Sequence, residues 1–333
     1  MPETAKTSVD IAQEKNTDKF LARALVDRKL LPVSQAKSLL AKLNNGESDK
    51  SLEDLLLESD ILKEEVILET KASLWNVPFI DLNNYEIDSP ECLHLQIEAM
   101  KLAFSDAYRY ISDPITLEFD PSFLIKSSYL SKRANLIDFD IAKQFKAGMP
   151  KLGDTVYLTA ADNEDMMVSY IQSNYEGFGS GIVIPGTGIS LQNRARGFNL
   201  IDGHPNQIGP NKRPYHTIIP AFVTKNGEPL MSFGVMGGSM QPQGHAQMMI
   251  RIFQYGQNPQ TAIDAPRWRA MGNLKVNLES GFENYIYKDL AKLGHQVSKE
   301  HFYKFGGAQI IYKLEEGYLG ASDWRKDGQA VGF

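Results

Sequence analysis

The sequence predicts a mixed α/β (α+β) protein, a layered body of helices and sheets behind a small all-helical module. Three observations carry this. Glycine and charge change abruptly near residue 88. Of 26 glycines only Gly46 precedes residue 89, and residues 1–88 hold 11 Lys and Arg against 17 Asp and Glu, whereas the remainder holds 24 of each. Leucines recur at i, i+4 in the first segment, which gives helices with one apolar face. Beyond residue 153, alternating runs bounded by turn residues read as strands, with helical periods between them. Strands covered by helices make a layered class.

Composition bounds the rest. A chain of 333 residues has room for two domains. At 42% apolar and 23% charged it has an ordinary globular composition. The net charge of −6 leaves no basic footprint, which argues against nucleic acid as a partner. The single cysteine, Cys92, excludes an internal disulfide framework and a thiolate metal cluster. The first thirty residues have no signal-peptide core, and no apolar run is long enough to span a bilayer. The expected location is the cytoplasm, unless the natural N-terminus has been lost.

Residues 1–17 are polar and aperiodic and read as a disordered tail. Residues 18–88 form the helical module. In it a pattern occurs twice, 31 residues apart. Phe20-Leu21-Ala22-Arg23-Ala24-Leu25-Val26 precedes Leu30-Leu31, and Ser51-Leu52-Glu53-Asp54-Leu55-Leu56-Leu57 precedes Ile61-Leu62. A further helix is expected from about Lys63 to Trp75, closed by Asn76-Val77-Pro78-Phe79-Ile80-Asp81-Leu82. The tandem pattern and this ending resemble the N-terminal domain of type II secretion and type IV pilus assembly ATPases over residues 18–85. Members that bind cyclic di-GMP use an Arg and two glycines per repeat. Here Phe20 and Ser51 replace the Arg, Ala22 and Glu53 the first Gly, and Lys29 and Asp60 the second. A protein partner is the expected ligand of this module, and no phosphate loop of an ATPase follows.

Residues 89–154 open with Ser89-Pro90-Glu91, a helix start with a capping hydroxyl, a proline at the first position and an acid in the positive first turn. Leu93, Ile97, Met100, Phe104, Tyr108 and Ile111 follow at helical spacing and are expected in the core. His94 is expected on the helix surface. Residues 115–150 read as further helix and loop.

Residues 155–333 carry the chemistry. Gly153-Asp154-Thr155-Val156-Tyr157-Leu158-Thr159-Ala160 reads as a turn and then a strand, with Val156, Leu158 and Ala160 on one face and Tyr157 and Thr159 on the other. Ile218–Val223 and Pro229–Phe233 flank Lys225-Asn226-Gly227, a hairpin signal. Residues 244–255 and 283–293 read as helices stopped by Gly256 and Gly294.

Several segments occur in order: Gly153-Asp154-Thr155, Gln172-Ser173-Asn174-Tyr175-Glu176-Gly177, Pro185-Gly186-Thr187-Gly188, Asn211-Lys212-Arg213-Pro214, and Gly237-Gly238-Ser239. With Asp264-Ala265-Pro266-Arg267-Trp268, Ala321-Ser322-Asp323-Trp324-Arg325 and the helix from His94, they resemble γ-glutamyltransferases (glutathione hydrolases) over about residues 89–333. The resemblance implies an incomplete αββα sandwich of the N-terminal-nucleophile (Ntn) hydrolases. Residues 89–154 would be the tail of the large subunit and 155–333 the small catalytic subunit. A seam would lie near residues 85–90, with the upstream Arg that grips the substrate α-carboxylate missing.

It implies self-cleavage between Asp154 and Thr155, after which the Thr155 hydroxyl is the nucleophile and its own α-amine the base. An α-amine with a pKa of about 7.7–8.0 is partly unprotonated near neutrality. Gly237 and Gly238 would supply the oxyanion hole. Ser173 would stand beside the nucleophile, and Asn174 would bind substrate or the freed amine. His216-Thr217 occupies the place of paired serines. Arg194 and Gly197 stand where glutathione-active members hold an amide and a carboxylate for the substrate ammonium. A cation disfavours an ammonium and favours a carboxylate. The implied substrate is thus a small-molecule γ-glutamyl or related acyl amide, with no metal or cofactor. Arg267 and Arg325 read as structural. Two alternatives stay open, an unprocessed and inactive Ntn remnant on a helical interaction module, and a cyclic di-GMP-responsive domain disfavoured by the missing Arg and Gly residues.

Overall fold

The computed structural model describes residues 8–45, 50–74, 81–117, 119–145 and 154–333. The segment Trp75–Ile80 and the junction residue Gly153 lie outside them. The chain divides into two compact units, one formed by Met1–Asp81 with Lys126–Leu136 and the other by Leu82–Ile125 with Ile137–Phe333.

The first unit is helical: α1 (Ser8–Asp27), α2 (Val33–Asn44), α3 (Leu52–Glu58), α4 (Glu64–Leu74) and α6 (Ser127–Ala134). Helix α1 starts inside the stretch expected to be a disordered tail. Ala12, Gln13, Glu14 and Lys15 are strong helix formers, and local propensity extends the helix despite the polar composition. The i, i+4 leucines behave as expected: Leu21, Leu25, Leu52 and Leu56 are buried with Leu31, Leu39, Leu43 and Ile67 in one core. The two repeats also end alike. Lys29 and Asp60, 31 residues apart, both adopt left-handed backbone, at φ 59° and 49°. Leu30 N–H reaches back to the Leu25 carbonyl and Ile61 N–H to Leu56, the hydrogen bond that closes a helix end.

The second unit contains α5 (Pro90–Tyr110), which the Ser89 hydroxyl caps by accepting from Cys92 N–H, with Pro90 at the first turn. Two stretches follow the strand β1 (Asp154–Ala161): its antiparallel partner β2 (Met167–Tyr175), and then a four-stranded antiparallel sheet. That sheet comprises β3 (Ala221–Lys225), β4 (Glu228–Met236), β8 (Gly307–Lys313) and β9 (Tyr318–Ser322), in the order β3-β4-β8-β9. Asn226 and Gly227, at φ 54° and 83°, make the two-residue hairpin turn that the sequence signals. A third sheet holds β5 (Trp268–Ala270), β6 (Lys275–Glu279) and β7 (Gln296–Glu300), with β6 and β7 parallel. Helices α7 (Met240–Met249), α8 (Pro259–Asp264) and α9 (Asn284–Lys292) complete it, and α7 runs on into a π-helical turn, Ile250–Gln254.

Two cores result. Leu93 and Ile97 of α5 pack with Trp268, Val276, Leu278, Ile286 and Leu290. Met231, Phe233 and Val235 of β4 pack with Met248, Ile263, Ala308 and Ile310. Buried arginines tie the C-terminal segment to this frame, Arg267 to Asp323 at 2.6 Å and Arg325 to Glu279 through two bonds of 2.7 Å. Both are structural, as the sequence reading has them.

Strand β1 lies over β4. Its faces alternate as expected, but the buried face is the Tyr157 and Thr159 one. Tyr157 is 4% exposed, whereas Val156 is 68% and Leu158 47% exposed. The reason is Gly234 in β4, where the Tyr157 ring occupies the space a side chain would take: a Cβ there would stand 2.5 Å from it. The Thr159 and Ser232 hydroxyls hydrogen-bond beside it.

Candidate functional site

Thr155 is the second residue of β1. Asp154 pairs with Tyr175 and Val156 with Gln172, so Thr155 faces two residues of β2, Ser173 and Asn174. This is a β-bulge, a device that re-aims side chains and is frequent beside active sites. Tyr175 closes it with left-handed backbone at φ 79°. The bulge brings three sequence-predicted residues, Thr155, Ser173 and Asn174, to one spot. Only the backbone of Asp154 is described.

Arg194 joins them. It opens a short 3-10 turn, Arg194–Gly197, and its Nη2 donates to the Ser173 hydroxyl at 3.1 Å and to the Ser173 carbonyl at 3.2 Å. Its guanidinium lies 5.7 Å from the centre of the Tyr175 ring, and the buried Nη1 has no hydrogen-bond partner. Burial holds this guanidinium below its ordinary pKa, the expected state of a cation without an anion. The turn is fastened to the end of β2. Asn193 Nδ2 donates to the Glu176 carboxylate, Glu176 N–H to Asn193 Oδ1, and Arg196 pairs with Glu176. Gly197 has a steric cause. A Cβ there would lie 2.4 Å from the Tyr215 carbonyl oxygen, so a carboxylate side chain at this position has no room.

Near Arg194 stands His216, whose pKa is lowered by desolvation and then by the charges of Arg194 and Arg213. A neutral imidazole there can accept or donate a hydrogen bond to substrate. Thr217 is buried next to it.

Gly237 and Gly238 follow β4 and adopt φ 118° and 61°, conformations that favour glycine. The Gly238 carbonyl accepts from Gln241 N–H at 3.1 Å. Beneath the turn the buried Arg269 donates to the Ser239 hydroxyl at 3.3 Å. Gln241, fully buried in the first turn of α7, was not singled out by the sequence. Its Oε1 accepts Ile219 N–H at 3.0 Å, and its Nε2 donates to the Thr155 hydroxyl at 3.4 Å. It links Thr155 to the Gly-Gly turn across 86 residues of sequence, and only the tertiary contact exposes it.

His94 departs from expectation: it is fully buried. Its Nε2 donates to the Asp138 carbonyl at 2.8 Å, so its Nδ1 accepts from His295 Nε2, also at 2.8 Å. His94, Glu98 and His295 offer atoms within 4.8 Å of one another. Lys101 already pairs with Glu98 and donates to the Lys143 carbonyl at 2.6 Å, and Lys143 N–H donates to Glu98. An ammonium thus fills the role a metal cation would have, and the group braces α5.

The family model for gamma-glutamyltranspeptidase matches residues 66–333. The glutathione hydrolase-like YwrD proenzyme of Bacillus subtilis is 36% identical over 261 residues, 76% of this chain and 49% of that protein. The oxamate amidohydrolase proenzyme of Klebsiella pneumoniae is 36% identical over 256 residues, 74% of this chain and 48% of that one. Among solved structures, the cephalosporin acylase of Bacillus halodurans superposes with a TM-score of 0.70 at 44% identity, covering 75% of this chain and 46% of its own. The chain spans about half the length of these relatives. The likeness of residues 18–85 to secretion ATPases is not supported, and the family match begins at residue 66, ahead of the seam expected near residues 85–90. Matched over residues 66–333 and carrying the helix-and-sheet fold of the Ntn hydrolases, the chain belongs to the gamma-glutamyltranspeptidase family.

Proposed function

We propose that this chain is an Ntn amidohydrolase or acyltransferase that cuts itself before Thr155 and then cleaves small acyl amides through an acyl-Thr155 intermediate. The observation that carries the reading is the position of Thr155. It opens a strand at a bulge, opposite Ser173 and Asn174, with its hydroxyl held by Gln241 beside the Gly237-Gly238 turn. In the first step Thr155 Oγ attacks the Asp154 carbonyl carbon. The O–C bond forms, the C–N bond breaks, and the hydroxyl proton ends on the Thr155 nitrogen. Water then hydrolyses the ester, leaving an Asp154 carboxylate, a free hydroxyl and a free α-amine as base. Turnover repeats the attack on the substrate carbonyl, with the Gly237 and Gly238 N–H groups facing the oxyanion.

Arg194 sets the acyl group in this reading. Its unpaired Nη1 favours a substrate carboxylate, and Gly197 offers no carboxylate to an ammonium. Oxamate, named for one relative, carries a carboxylate beside its amide and no ammonium. Glutaryl-type acyl groups fit the same pattern. His216, Thr217 and Asn174 would line the same place. A cytoplasmic location and a protein partner for residues 18–88 accompany the reading.

The test compares glutaryl and γ-glutamyl anilides at equal enzyme. Each charged hydrogen bond to the γ-glutamyl α-ammonium that Arg194 and Gly197 cannot make costs about 1.5–3 kcal/mol, so two together lower its turnover by roughly two to four powers of ten. Faster cleavage of the γ-glutamyl compound by tenfold or more overturns the role of Arg194.

A further inference from the structure

We infer that Gln241 is a positioning residue for the Thr155 hydroxyl, acting as a hydrogen-bond donor that fixes which lone pair attacks. This rests on the reading of Thr155 as nucleophile. Three observations assign the role. The amide cannot turn over, because Oε1 must accept the Ile219 N–H at 3.0 Å. Nε2, a donor only, therefore faces the Thr155 hydroxyl at 3.4 Å. The Gln241 main chain is itself fixed, its N–H on the Gly238 carbonyl at 3.1 Å, so the same residue sets the distance between nucleophile and Gly-Gly turn.

The chemical consequence follows from the hydroxyl's inventory of one donor and two acceptor sites. An N–H held against Oγ occupies one lone pair and excludes the rotamer that would point the Thr155 proton at Gln241. The proton is left toward the Thr155 nitrogen, which must receive it, and the second lone pair toward the carbonyl under attack. Gln241 forms no bond in the reaction. It narrows the hydroxyl to the reactive orientation, an effect of proximity and alignment. The long contact, 3.4 Å in the uncut chain, is of the kind that tightens as the reacting geometry is reached.

The alternative is that Gln241 merely fills space and satisfies Ile219. Gln241→Glu separates the two. It keeps the shape and the acceptor for Ile219 N–H, yet presents Thr155 with an acceptor in place of a donor. Gln241→Leu removes both bonds. The measurement is the rate at which each purified full chain converts to two pieces on a denaturing gel, from pH 4.5 to 8.5, relative to the parent at each pH, with melting temperatures alongside. At pH 7.5, at a temperature well below its melting point (which the buried carboxylate lowers at that pH), Gln241→Glu should be slowed ten- to hundredfold. It should recover toward the parental rate as pH falls, because a protonated carboxyl regains a donor. A glutamic acid titrates near 4.3 in water and higher when buried, so recovery starts above that pH. Gln241→Leu should be slow at every pH. In processed enzyme the loss should fall on kcat and leave KM within twofold.

Parental rates for Gln241→Glu at all pH values, with Thr155→Ala uncut, overturn the role of Gln241 alone. A slowed Gln241→Glu whose ratio to the parent stays flat with pH also overturns it, since donor character is then irrelevant. A parent that stays whole, or cleavage persisting in Thr155→Ala, overturns the nucleophile reading and this inference with it.

Discussion

Replacing Gly234 with alanine should damage the site from a distance. Gly234 lies mid-strand in β4, opposite Gln309 of β8, and its backbone accepts an alanine without strain. The obstacle is the Tyr157 ring, whose Cδ2 and Cε2 would sit 2.5 Å and Cγ 2.8 Å from the new Cβ. Ordinary contact lies near 3.5–4.0 Å, so ring and Cβ must part by about 1 Å. Tyr157 is 4% exposed and its hydroxyl bonds Ser169 at 2.7 Å, so the ring has nowhere to swing and β1 must lift. Overpacking of this size costs about 1–3 kcal/mol, a fall of about 2–12 °C in melting temperature for a domain of this size. Thr155 is two residues along the same strand, and its hydroxyl accepts a 3.4 Å bond from Gln241. A shift near 1 Å breaks that bond and should slow self-cleavage by about a hundredfold. Tyr157→Leu in the Gly234→Ala background should recover part of both losses. Differential scanning fluorimetry and a timed denaturing gel read the two effects. An unchanged melting temperature and parental cleavage would refute the packing of β1 on β4 as the support of Thr155.

Three further outcomes follow from other parts of the molecule. Arg194→Met should lower glutaryl-anilide turnover at least tenfold and shrink the glutaryl preference, because the Nη1 that would meet the substrate carboxylate is lost along with the bonds to Ser173. His245 accepts Val235 N–H at 2.9 Å and is pushed down by burial to about 4, against about 6.5 unfolded. A base with a lowered folded pKa gives stability that is present above pH 6.5 and lost as pH falls from 6.5 toward 4, here about 3 kcal/mol. In urea unfolding at pH 7 and pH 4, His245→Gln should lose less on acidification than the parent by about that amount, and an equal loss would refute the assignment. Calorimetric titration of the chain with cyclic di-GMP should show no heat of binding through residues 18–88. Lys29 and Asp60 hold the left-handed positions with side chains, and micromolar binding would contradict this.

Local signals were legible where a short stretch decides its own structure. Ser89-Pro90 caps α5, Asn226-Gly227 turns the β3–β4 hairpin, and the leucines at i, i+4 form the core of the helical unit. Thr155, Ser173 and Asn174 were legible as a set because their segments occur in a fixed order, and the bulge supplies the physical reason they meet. What a partner distant in sequence decides was hidden. His94 reads as a surface residue on α5 until His295, 201 positions away, covers it. The alternation of β1 names two faces but not the buried one, and the choice falls to Gly234, which makes room for Tyr157. Gln241 carries no signal of its own, since a glutamine in a first helical turn is ordinary. Arg194 was legible as a cation in place of an amide, while the missing room at Gly197 depends on the Tyr215 carbonyl.

The central claim is that Thr155 is freed by the chain itself and becomes the nucleophile. Intact mass spectrometry with N-terminal sequencing of the incubated purified chain tests it most directly. The account predicts two pieces, the second beginning at Thr155, and a Thr155→Ala chain that stays whole. A second piece beginning at any other residue, or the same cut in Thr155→Ala, would contradict it.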